Sequence, residues 1–373
     1  MKILHLNERL SVRGGADVYL LRLIEQQKGR HELRLAVGFM DGTHPHPCEV
    51  IRCRGLDARR PLRGRLDRLL ALVDAFVPDV IHVHNVMNPL FLEALGGCPV
   101  VMTVQDHRVF CPGRGKWTAD GSPCFEPMAP ALCEKCFDDR DYFDFIHELT
   151  RRRLSAIASF RLITLSTYVR DELRALGVPP ERIVVIPPLL PPRARREADR
   201  DAPMPARLEL PPSVFFVGRL ASSKGIEDAI AAWRLSGTDL PLSVIGEGPE
   251  RPRLDSGDPS IRWTGWVDHR LIPTVLRRAK ALLMPSRWQE PFGIVGIEAL
   301  AAGVPVVGWR SGGMADWLPE RWMVPWGDVG ALGERLRDVL AGDHGFVWAC
   351  DPFEPEVIAA RIDKLYCSVK GMV

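Results

Sequence analysis

The chain alternates strand-like and helix-like segments in two series, with a proline-rich break between them. Apolar runs such as 2–6 and 99–104 stand beside segments with helical apolar spacing such as 16–27, and the pattern restarts at Ser213. Strands that alternate with helices predict a parallel sheet covered by helices on both faces. The break, 187–212, holds eight prolines, which no packed element tolerates. Two domains are also expected from a length of 373 residues.

We therefore predict an α/β protein of two doubly wound, Rossmann-like domains that face a central cleft. Ligands of such sheets bind outside the carboxyl ends of the strands. The predicted organisation is an N-terminal domain over 1–190 with an insert at about 108–144, a linker over 191–212, a C-terminal domain over 213–350, and a last helix within 351–373.

Composition excludes several classes of protein. Lys and Arg total 49 against 47 Asp and Glu, a formal net charge of +2, which is too balanced for nucleic acid as the main partner. The sequence lacks an apolar run long enough to span a membrane. Its first ten residues lack the apolar core and cleavage site of a secretory signal. We expect a cytoplasmic protein.

Two glutamates with seven residues between them, Glu290 and Glu298, frame the most informative segment. A strand-like run ends just before the loop that holds Glu290, and a helix is predicted to open at Phe292-Gly293-Ile294. The free N–H groups of its first turn suit a phosphate. Glu298, about one turn inside, could accept two vicinal hydroxyls. The alternative is a pair of solvated helix charges, which the apolar, glycine-rich surroundings disfavour.

This segment resembles the E-x7-E signature of retaining glycosyltransferases with the GT-B fold, glycosyltransferase family 4. The resemblance covers nearly the whole chain and is stronger in the C-terminal half. Four further segments match in order: Gly14-Gly15-Ala16-Asp17; Val217-Gly218-Arg219-Leu220 with Lys224-Gly225; Ile245-Gly246-Glu247-Gly248-Pro249; and Ser311-Gly312-Gly313 with Asp316 in place of the usual Glu.

The resemblance implies a retaining enzyme without a catalytic metal that moves a hexose-type sugar from a UDP- or GDP-sugar to a glycan, lipid-linked or small-molecule acceptor. It also implies that the last helix crosses back onto the N-terminal domain, which binds the acceptor. The donor contacts that it implies are Gly14, Gly15, Gly218, Arg219, Lys224, Gly246, Val267, Glu290, Phe292, Gly293, Ile294, Val295 and Glu298.

Arg219 and Lys224 are five residues apart across a predicted strand-to-helix turn, so both can reach one phosphate. A departing diphosphate gains negative charge, which fixed cations stabilise. The alternative is a pair of surface cations, but a lysine is unfavourable near the positive end of a helix. We predict that Arg219, Lys224 and Glu290 are catalytic.

The segment 103–107 departs from the family pattern. Members usually have T-x-H-D here with the histidine facing the donor sugar, whereas Gln105 holds that position and His107 follows two residues later. In an extended strand both side chains would point to the same face. His107 is therefore a candidate catalytic residue, with Gln105 as a polar contact. The alternative is that His107 packs under the insert.

The insert carries four cysteines spaced C-x12-C-x8-C-x2-C, a set that suits a structural zinc. Free thiols, an oxidised pair and an iron–sulfur cluster are the alternatives. Nearby Asp139-Arg140-Asp141 is a D-x-D, which binds metal in other glycosyltransferases, but a solvated acidic run explains it better. The predicted zinc ligands are Cys111, Cys124, Cys133 and Cys136.

Other interpretations rest on weaker features. The segment 246–251 lacks the third glycine of a dinucleotide-binding loop. Residues 52–68 hold seven arginines against two aspartates, which suits either a surface helix or contact with the cytoplasmic face of a membrane. The rival functions are a GT-B-fold sugar-nucleotide epimerase and a non-catalytic sugar-nucleotide-binding protein.

Overall fold

The structure is a computed structural model of the chain that describes residues 1–42, 48–57, 66–192, 206–342 and 348–370. It divides into two compact units. The first comprises Met1–Ala119, Phe125–Leu189 and Pro352–Val373, and the second comprises Asp120–Cys124 and Leu190–Asp351. Each unit contains one parallel β-sheet, so the predicted α/β class with two doubly wound sheets is confirmed.

The first unit is built on seven parallel strands. They are β1 (Lys2–Leu10), β2 (Glu32–Met40), β3 (Glu49–Arg52), β4 (Val80–Val83), β5 (Val100–Val104), β6 (Arg161–Thr164) and β7 (Ile183–Val185). Their order is β3-β2-β1-β4-β5-β6-β7, so the chain builds outward from β1 in one direction and from β4 in the other. The sheet's direction of winding therefore switches between β1 and β4.

Helices cover this sheet and bury its apolar strands on both faces. Their bounds are α1 (Gly15–Gln27), α2 (Leu66–Phe76), α3 (Pro89–Ala94), α4 (Pro130–Cys133), α5 (Arg140–Ile157) and α6 (Thr167–Ala175). In β1 the run from Ile3 to Leu6 is fully buried, and all four residues of β4 are buried. Continuous burial of this kind is expected for parallel strands.

The second unit contains a six-stranded parallel sheet. Its strands are β8 (Ser213–Val217), β9 (Leu242–Ile245), β10 (Ile261–Gly265), β11 (Ala279–Met284), β12 (Val306–Trp309) and β13 (Met323–Val324). Its helices are α7 (Ile226–Ser236), α8 (Arg251–Leu254), α9 (Ile272–Leu276), α10 (Ile294–Ala301) and α11 (Val329–Ala341). The order β10-β9-β8-β11-β12-β13 places the switch of direction between β8 and β11.

Some predicted segments fall where the structure is not described. The linker predicted at 191–212 lies outside the described residues over 193–205, and the arginine-rich segment 52–68 lies outside them over 58–65. The membrane hypothesis for that segment therefore stays a prediction. Among the described helices, none combines the length and hydropathy that crossing a membrane requires.

The last helix, α12 (Pro355–Lys370), belongs to the first unit and packs against α1, β4 and β5. Tyr366 on this helix is fully buried. Its hydroxyl accepts a hydrogen bond from Gln27 Nε2 at 3.1 Å and lies 2.6 Å from His82 Nδ1. Asp363, one turn earlier, lies 3.1 Å from His31 Nε2. This turn of α12 is thus anchored by polar contacts as well as by apolar packing.

Three histidines lie in the centre of this unit. His5 on β1 pairs in register with His82 on β4, and His84 follows β4 directly. All three are fully buried. Burial lowers the pKa of His5 to about 3, although a hydrogen bond from the ring to Gln27 opposes the shift. Burial, together with the neighbouring histidines, holds the pKa of His82 and His84 well below the ordinary value. The folded unit therefore keeps these imidazoles neutral.

The neutral histidines predict acid sensitivity. In the unfolded chain each binds a proton below about pH 6.5, whereas in the folded unit it does not, so their contribution is complete above that pH and is lost as pH falls. We expect the free energy of unfolding to fall by up to about 1.4 kcal/mol per pH unit for each histidine. Urea titrations in steps between about pH 7 and 5, above the range of ordinary carboxylates, measure this slope. A flat profile across that interval would contradict neutral burial.

Candidate active site

In the second unit, a partly buried ion pair lies at the carboxyl ends of β8 and β11, the two strands at the switch of winding direction. Lys224 ends the turn that follows β8, and Glu290 lies in the loop that follows β11. The Lys224 Nζ atom is 2.8 Å from one carboxylate oxygen of Glu290 and 3.1 Å from the other. Open α/β sheets bind their ligands at this kind of position.

Two further side chains bind the same carboxylate. Ser286 Oγ donates to Glu290 Oε2 at 2.9 Å, and Trp288 Nε1 donates to it at 2.8 Å. The Lys224 ammonium also lies 4.3 Å from the centre of the Trp288 ring, a cation–π distance. Burial favours a raised pKa for Glu290, but the Lys224 charge and these hydrogen bonds outweigh it and lower the pKa. The carboxylate is therefore ionised while almost fully buried.

Sequence reasoning missed Trp288 and Ser286. Both lie in the short segment between the end of β11 and Glu290, which the sequence analysis treated only as a connecting loop. A signal was available in the sequence, because Trp288 and Ser286 lie two and four residues before Glu290. Both side chains carry a donor that can bind a carboxylate.

The glycine turn after β12 supports the loop that holds Glu290. Ser311 Oγ donates to the Trp288 carbonyl at 2.7 Å and accepts from the Glu290 N–H at 3.2 Å. Gly313 N–H donates to the Glu290 carbonyl at 2.7 Å. At Gly312, where φ is +50°, a Cβ would lie 2.3 Å from that carbonyl oxygen. Only glycine allows the two backbones to approach this closely.

The predicted helix after Glu290 is present and begins at Ile294. Gly293 precedes it with φ +92°, and no side chain caps its first N–H groups within the described residues. Trp317 fixes the turn, since its Nε1 donates to the Phe292 carbonyl at 2.6 Å and its ring fills the space beside Gly296. N–H groups without a side-chain cap at a helix start suit an anionic ligand. Glu298, the fifth helical residue, is 8% exposed.

The other predicted donor contacts of this unit lie at neighbouring strand ends. Gly218 follows β8 and Gly246 follows β9, and a Cβ on Gly246 would lie 1.9 Å from the Gly218 carbonyl oxygen. Val267, after β10, is buried. Arg219 is exposed and forms no ion pair with a side chain in the described part of the chain. Its guanidinium is thus separate from the Lys224–Glu290 pair in this structure.

In the first unit, the predicted glycine loop leads into α1. Gly14 is the N-cap of this helix, and Gly15 is its exposed first residue. Asp17, in the first turn, is buried and pairs with Arg9 at 2.8 Å. This ion pair fixes the end of β1 against the start of α1, and the glycine loop lies between them.

The structure places Gln105 and His107 after the end of strand β5. The strand ends at Val104, Asp106 is still extended, and His107 begins a 3₁₀ turn in which the Asp106 carboxylate accepts the Arg108 N–H at 2.8 Å. Neither residue therefore lies within the strand, and the shared direction of the two side chains stays a prediction.

Gln105 and His107 have different surroundings. Gln105 lies at the end of β5, and its Oε1 accepts from Asn85 Nδ2 at 3.2 Å. The His107 ring is 3% exposed, with Nε2 3.2 Å from the Tyr168 hydroxyl and its edge against Phe110. This environment matches the packing alternative for His107. Its catalytic role stays a prediction.

Buried cations join the insert to the rest of the unit. Arg153 on α5 donates to the Met87 carbonyl at 2.8 Å and to the Arg108 carbonyl at 3.2 Å. Lys116 is 3% exposed and lies 2.9 Å from Glu172 on α6. Neither contact was predicted, although α5 shows a buried stripe at helical spacing.

The four insert cysteines do not form a zinc ligand set in this geometry. Where the chain is described, the His5, His82 and His84 group alone brings three potential ligand atoms within 4.8 Å of one another. Cys133 and Cys136 end two successive short helical turns, and Cys124 belongs to a different compact unit from the other three. The zinc hypothesis therefore has no support from the structure.

Two doubly wound α/β units with parallel sheets are the architecture of glycosyltransferases with the GT-B fold. The family models agree with this class. "Glycosyl transferase 4-like domain" matches residues 14–188, and "Glycosyl transferases group 1" matches 211–342. The chain belongs to this family of glycosyltransferases.

Two curated proteins with similar sequences are also named as glycosyltransferases. A 2-deoxystreptamine N-acetyl-D-glucosaminyltransferase of Streptomyces fradiae is 27% identical, over 88% of this chain and 82% of that protein. A D-inositol 3-phosphate glycosyltransferase of Segniliparus rotundus is 35% identical, but the match covers 42% of this chain and 41% of that protein. The first similarity extends over both family models.

Solved structures share the fold. A sucrose-phosphate synthase from Thermosynechococcus elongatus superposes with a TM-score of 0.69 at 20% identity, covering 100% of both chains. Anabaena HepE in complex with UDP gives 0.64 at 14% identity, covering 99% of this chain and 100% of that one. At these identities the likeness shows the GT-B fold alone.

The close approach at Gly312 gives a testable prediction. Gly312→Ala places a methyl group against the Glu290 carbonyl, whereas Gly303→Ala, also at positive φ, meets nothing within 4 Å. Both substitutions strain the backbone by about 1–3 kcal/mol, and Gly312→Ala should cost at least about 2 kcal/mol more. Chemical denaturation of the two variants measures the difference. Equal losses would mean that the turn does not support the Glu290 loop by close contact.

Proposed function

We propose that the protein is a retaining glycosyltransferase that moves a sugar from a UDP- or GDP-sugar to an acceptor hydroxyl. The observation that carries this proposal is the ionised, buried Glu290, held by Lys224, Trp288 and Ser286 directly before the uncapped start of α10. A structural ion pair would need neither the buried carboxylate at a strand end nor a helix start left open beside it.

The donor's charged parts match groups of the second unit. The N–H groups of Ile294 and Val295 and the cations Lys224 and Arg219 suit the diphosphate. Glu298, farther along α10, suits the two ribose hydroxyls. The structures of Anabaena HepE in complex with UDP and with UDP-glucose support a nucleotide-sugar donor.

The proposed reaction breaks the bond between the anomeric carbon and the diphosphate oxygen, and the acceptor oxygen attacks the same face of the sugar. The acceptor proton passes to the departing diphosphate, so the free nucleotide leaves and no bond to the protein forms. Lys224 and Arg219 stabilise the negative charge that grows on the leaving group. Glu290 holds the Lys224 ammonium in position before the donor binds. The ammonium therefore needs no reorganisation during the reaction.

A small-molecule acceptor has the most support among the three acceptor classes. The Streptomyces fradiae relative, which matches over most of its length, carries 2-deoxystreptamine in its name, and a relative from Streptomyces kanamyceticus is named 2-deoxystreptamine glucosyltransferase. The first unit is the proposed acceptor side, and its loop at Gly14 and Gly15 is proposed to contact the donor.

Two glutamate variants test this proposal. Glu298→Gln should weaken UDP or GDP binding by about 1.5–3 kcal/mol, because ribose hydrogen bonds to a carboxylate are equal in the ground and transition states. Glu290→Gln should lower kcat more than it raises the donor KM, because it disturbs the lysine that meets the developing charge. Calorimetry and steady-state kinetics separate the two effects.

The control and the rival functions use the same assays. Glu320→Gln, an exposed residue of the same unit paired with Arg310, should change neither binding nor kcat. If Glu298→Gln binds free nucleotide as tightly as wild type, the ribose assignment fails.

A panel of UDP- and GDP-sugars with small aminocyclitol and glycan acceptors tests the rival functions. If it yields a converted sugar without free nucleotide, the epimerase is correct. Binding without any conversion points to the non-catalytic alternative.

A further inference from the structure

A continuous set of hydrogen-bonded side chains crosses the interior of the first unit from the end of β5 to helix α12. We call it the histidine chain. Six of its members are fully buried and Asn85 and Gln105 nearly so. In order of contact its members are Asn85, Gln105, His84, His5, Gln27, Tyr366, His82 and Thr103.

The Gln105 end fixes the direction of the first bonds. Asn85 Nδ2 donates to Gln105 Oε1, so the Gln105 NH₂ group faces His84 Nδ1, at 3.3 Å, and must donate to it. A neutral His84 that accepts at Nδ1 carries its proton on Nε2. That proton is then donated to His5 Nδ1, 3.1 Å away.

The same direction continues to α12. His5 accepts at Nδ1, so its proton is on Nε2, which lies 3.0 Å from Gln27 Oε1. Gln27 Nε2 donates to the Tyr366 hydroxyl, whose own proton is free to bind His82 Nδ1 at 2.6 Å. His82 then donates from Nε2 to Thr103 at 2.8 Å. Each bond from Asn85 to Thr103 thus pairs one donor with one acceptor, and all three histidines share the Nε2–H tautomer.

These contacts decide against a metal at the histidines, although three of their nitrogens lie within 4.8 Å of one another. All six ring nitrogens take part in the bonds just described. A cation bound to one nitrogen of each ring would remove the His5–His84 bond and one of the two bonds of His82. The polar groups left over would be buried without partners.

We propose that Tyr366 is a positioning residue that orients the Gln105 amide through the histidine chain, so that docking of α12 sets a side chain at the carboxyl end of β5. The consequence for catalysis rests on the proposed function, since it is the family resemblance that places residue 105 beside the substrate. The effect on the Gln105 amide does not depend on it.

The mechanism is a sequence of donor–donor conflicts. Without the Tyr366 hydroxyl, Gln27 Nε2 loses its acceptor and the amide is free to turn its NH₂ toward His5. His5 must then change tautomer and present a proton to His84, which must change in turn. A proton on His84 Nδ1 opposes the Gln105 NH₂ group, and the amide turns away from Asn85. Loss of the Tyr366 hydroxyl oxygen thus changes the Gln105 side chain, four members away in the histidine chain.

Nuclear magnetic resonance of protein labelled with ¹⁵N histidine and glutamine tests the chain directly. In the wild type, three histidines should be neutral Nε2–H tautomers and stay so at acidic pH. Tyr366→Phe should shift the His84 ring nitrogens and the Gln105 side-chain amide. Asp363→Asn is the matched control, because it weakens the same helix at its contact with His31 without touching the chain. It should leave both signals in place.

Kinetics give the second readout. Tyr366→Phe should lower kcat about ten- to a hundredfold with little change in the donor KM, whereas Asp363→Asn should keep kcat within about twofold. An Nδ1–H tautomer, a charged ring or a bound metal in the wild type would overturn the inference. So would equal effects of the two variants on the Gln105 amide. If the wild type turns over no sugar nucleotide, the proposed function fails, and the spectra still decide the positioning role.

Discussion

Glu290 stays ionised inside the second unit because its carboxylate accepts four hydrogen bonds from three residues. Removing a charge from water costs several kcal/mol, which only close, hydrogen-bonded partners offset. Lys224 reaches the Glu290 carboxylate because the turn after β8 packs closely against the loop after β11. A Cβ on Gly225 in that turn would lie 1.8 Å from the Pro285 carbonyl oxygen. Gly225 and Gly312, which lie in the family motifs, thus allow the close backbone packing that supports the Lys224–Glu290 pair.

The first unit solves the same problem with neutral groups. Its histidines, glutamines and Tyr366 satisfy one another without a net charge, so no ion pair is needed at the centre of the sheet. The two units lose stability over different pH ranges. Acid destabilises the first unit because the unfolded chain protonates imidazoles that are neutral in the folded unit. The second unit loses its ion pair only when the pH falls through the lowered pKa of Glu290.

Sequence patterns predicted what depends on local signals. The start of α10 at Ile294 followed from a glycine before an apolar helix, and the place of Glu290 followed from its position after a buried strand. The 3₁₀ turn at His107 was not predicted, because a side chain of Asp106 caps it, a contact that strand periodicity does not encode. The histidine chain was not predicted either, since it joins residues as far apart in sequence as Gln27 and Tyr366. Long-range polar pairing leaves no periodic trace.

Helix α12 belongs to the first unit although the whole second unit separates it in sequence from the seven strands, and this has a consequence for how the first unit is completed. Residues 1–190 alone supply the seven strands but not Tyr366, so Gln27 and His82 would each keep a buried polar atom without its partner. Such orphans cost about 1–3 kcal/mol each, and the apolar face of α12 would be missing as well. A protein synthesised from its N-terminus can therefore finish this unit only after the second unit has been made, so the histidine chain is completed late.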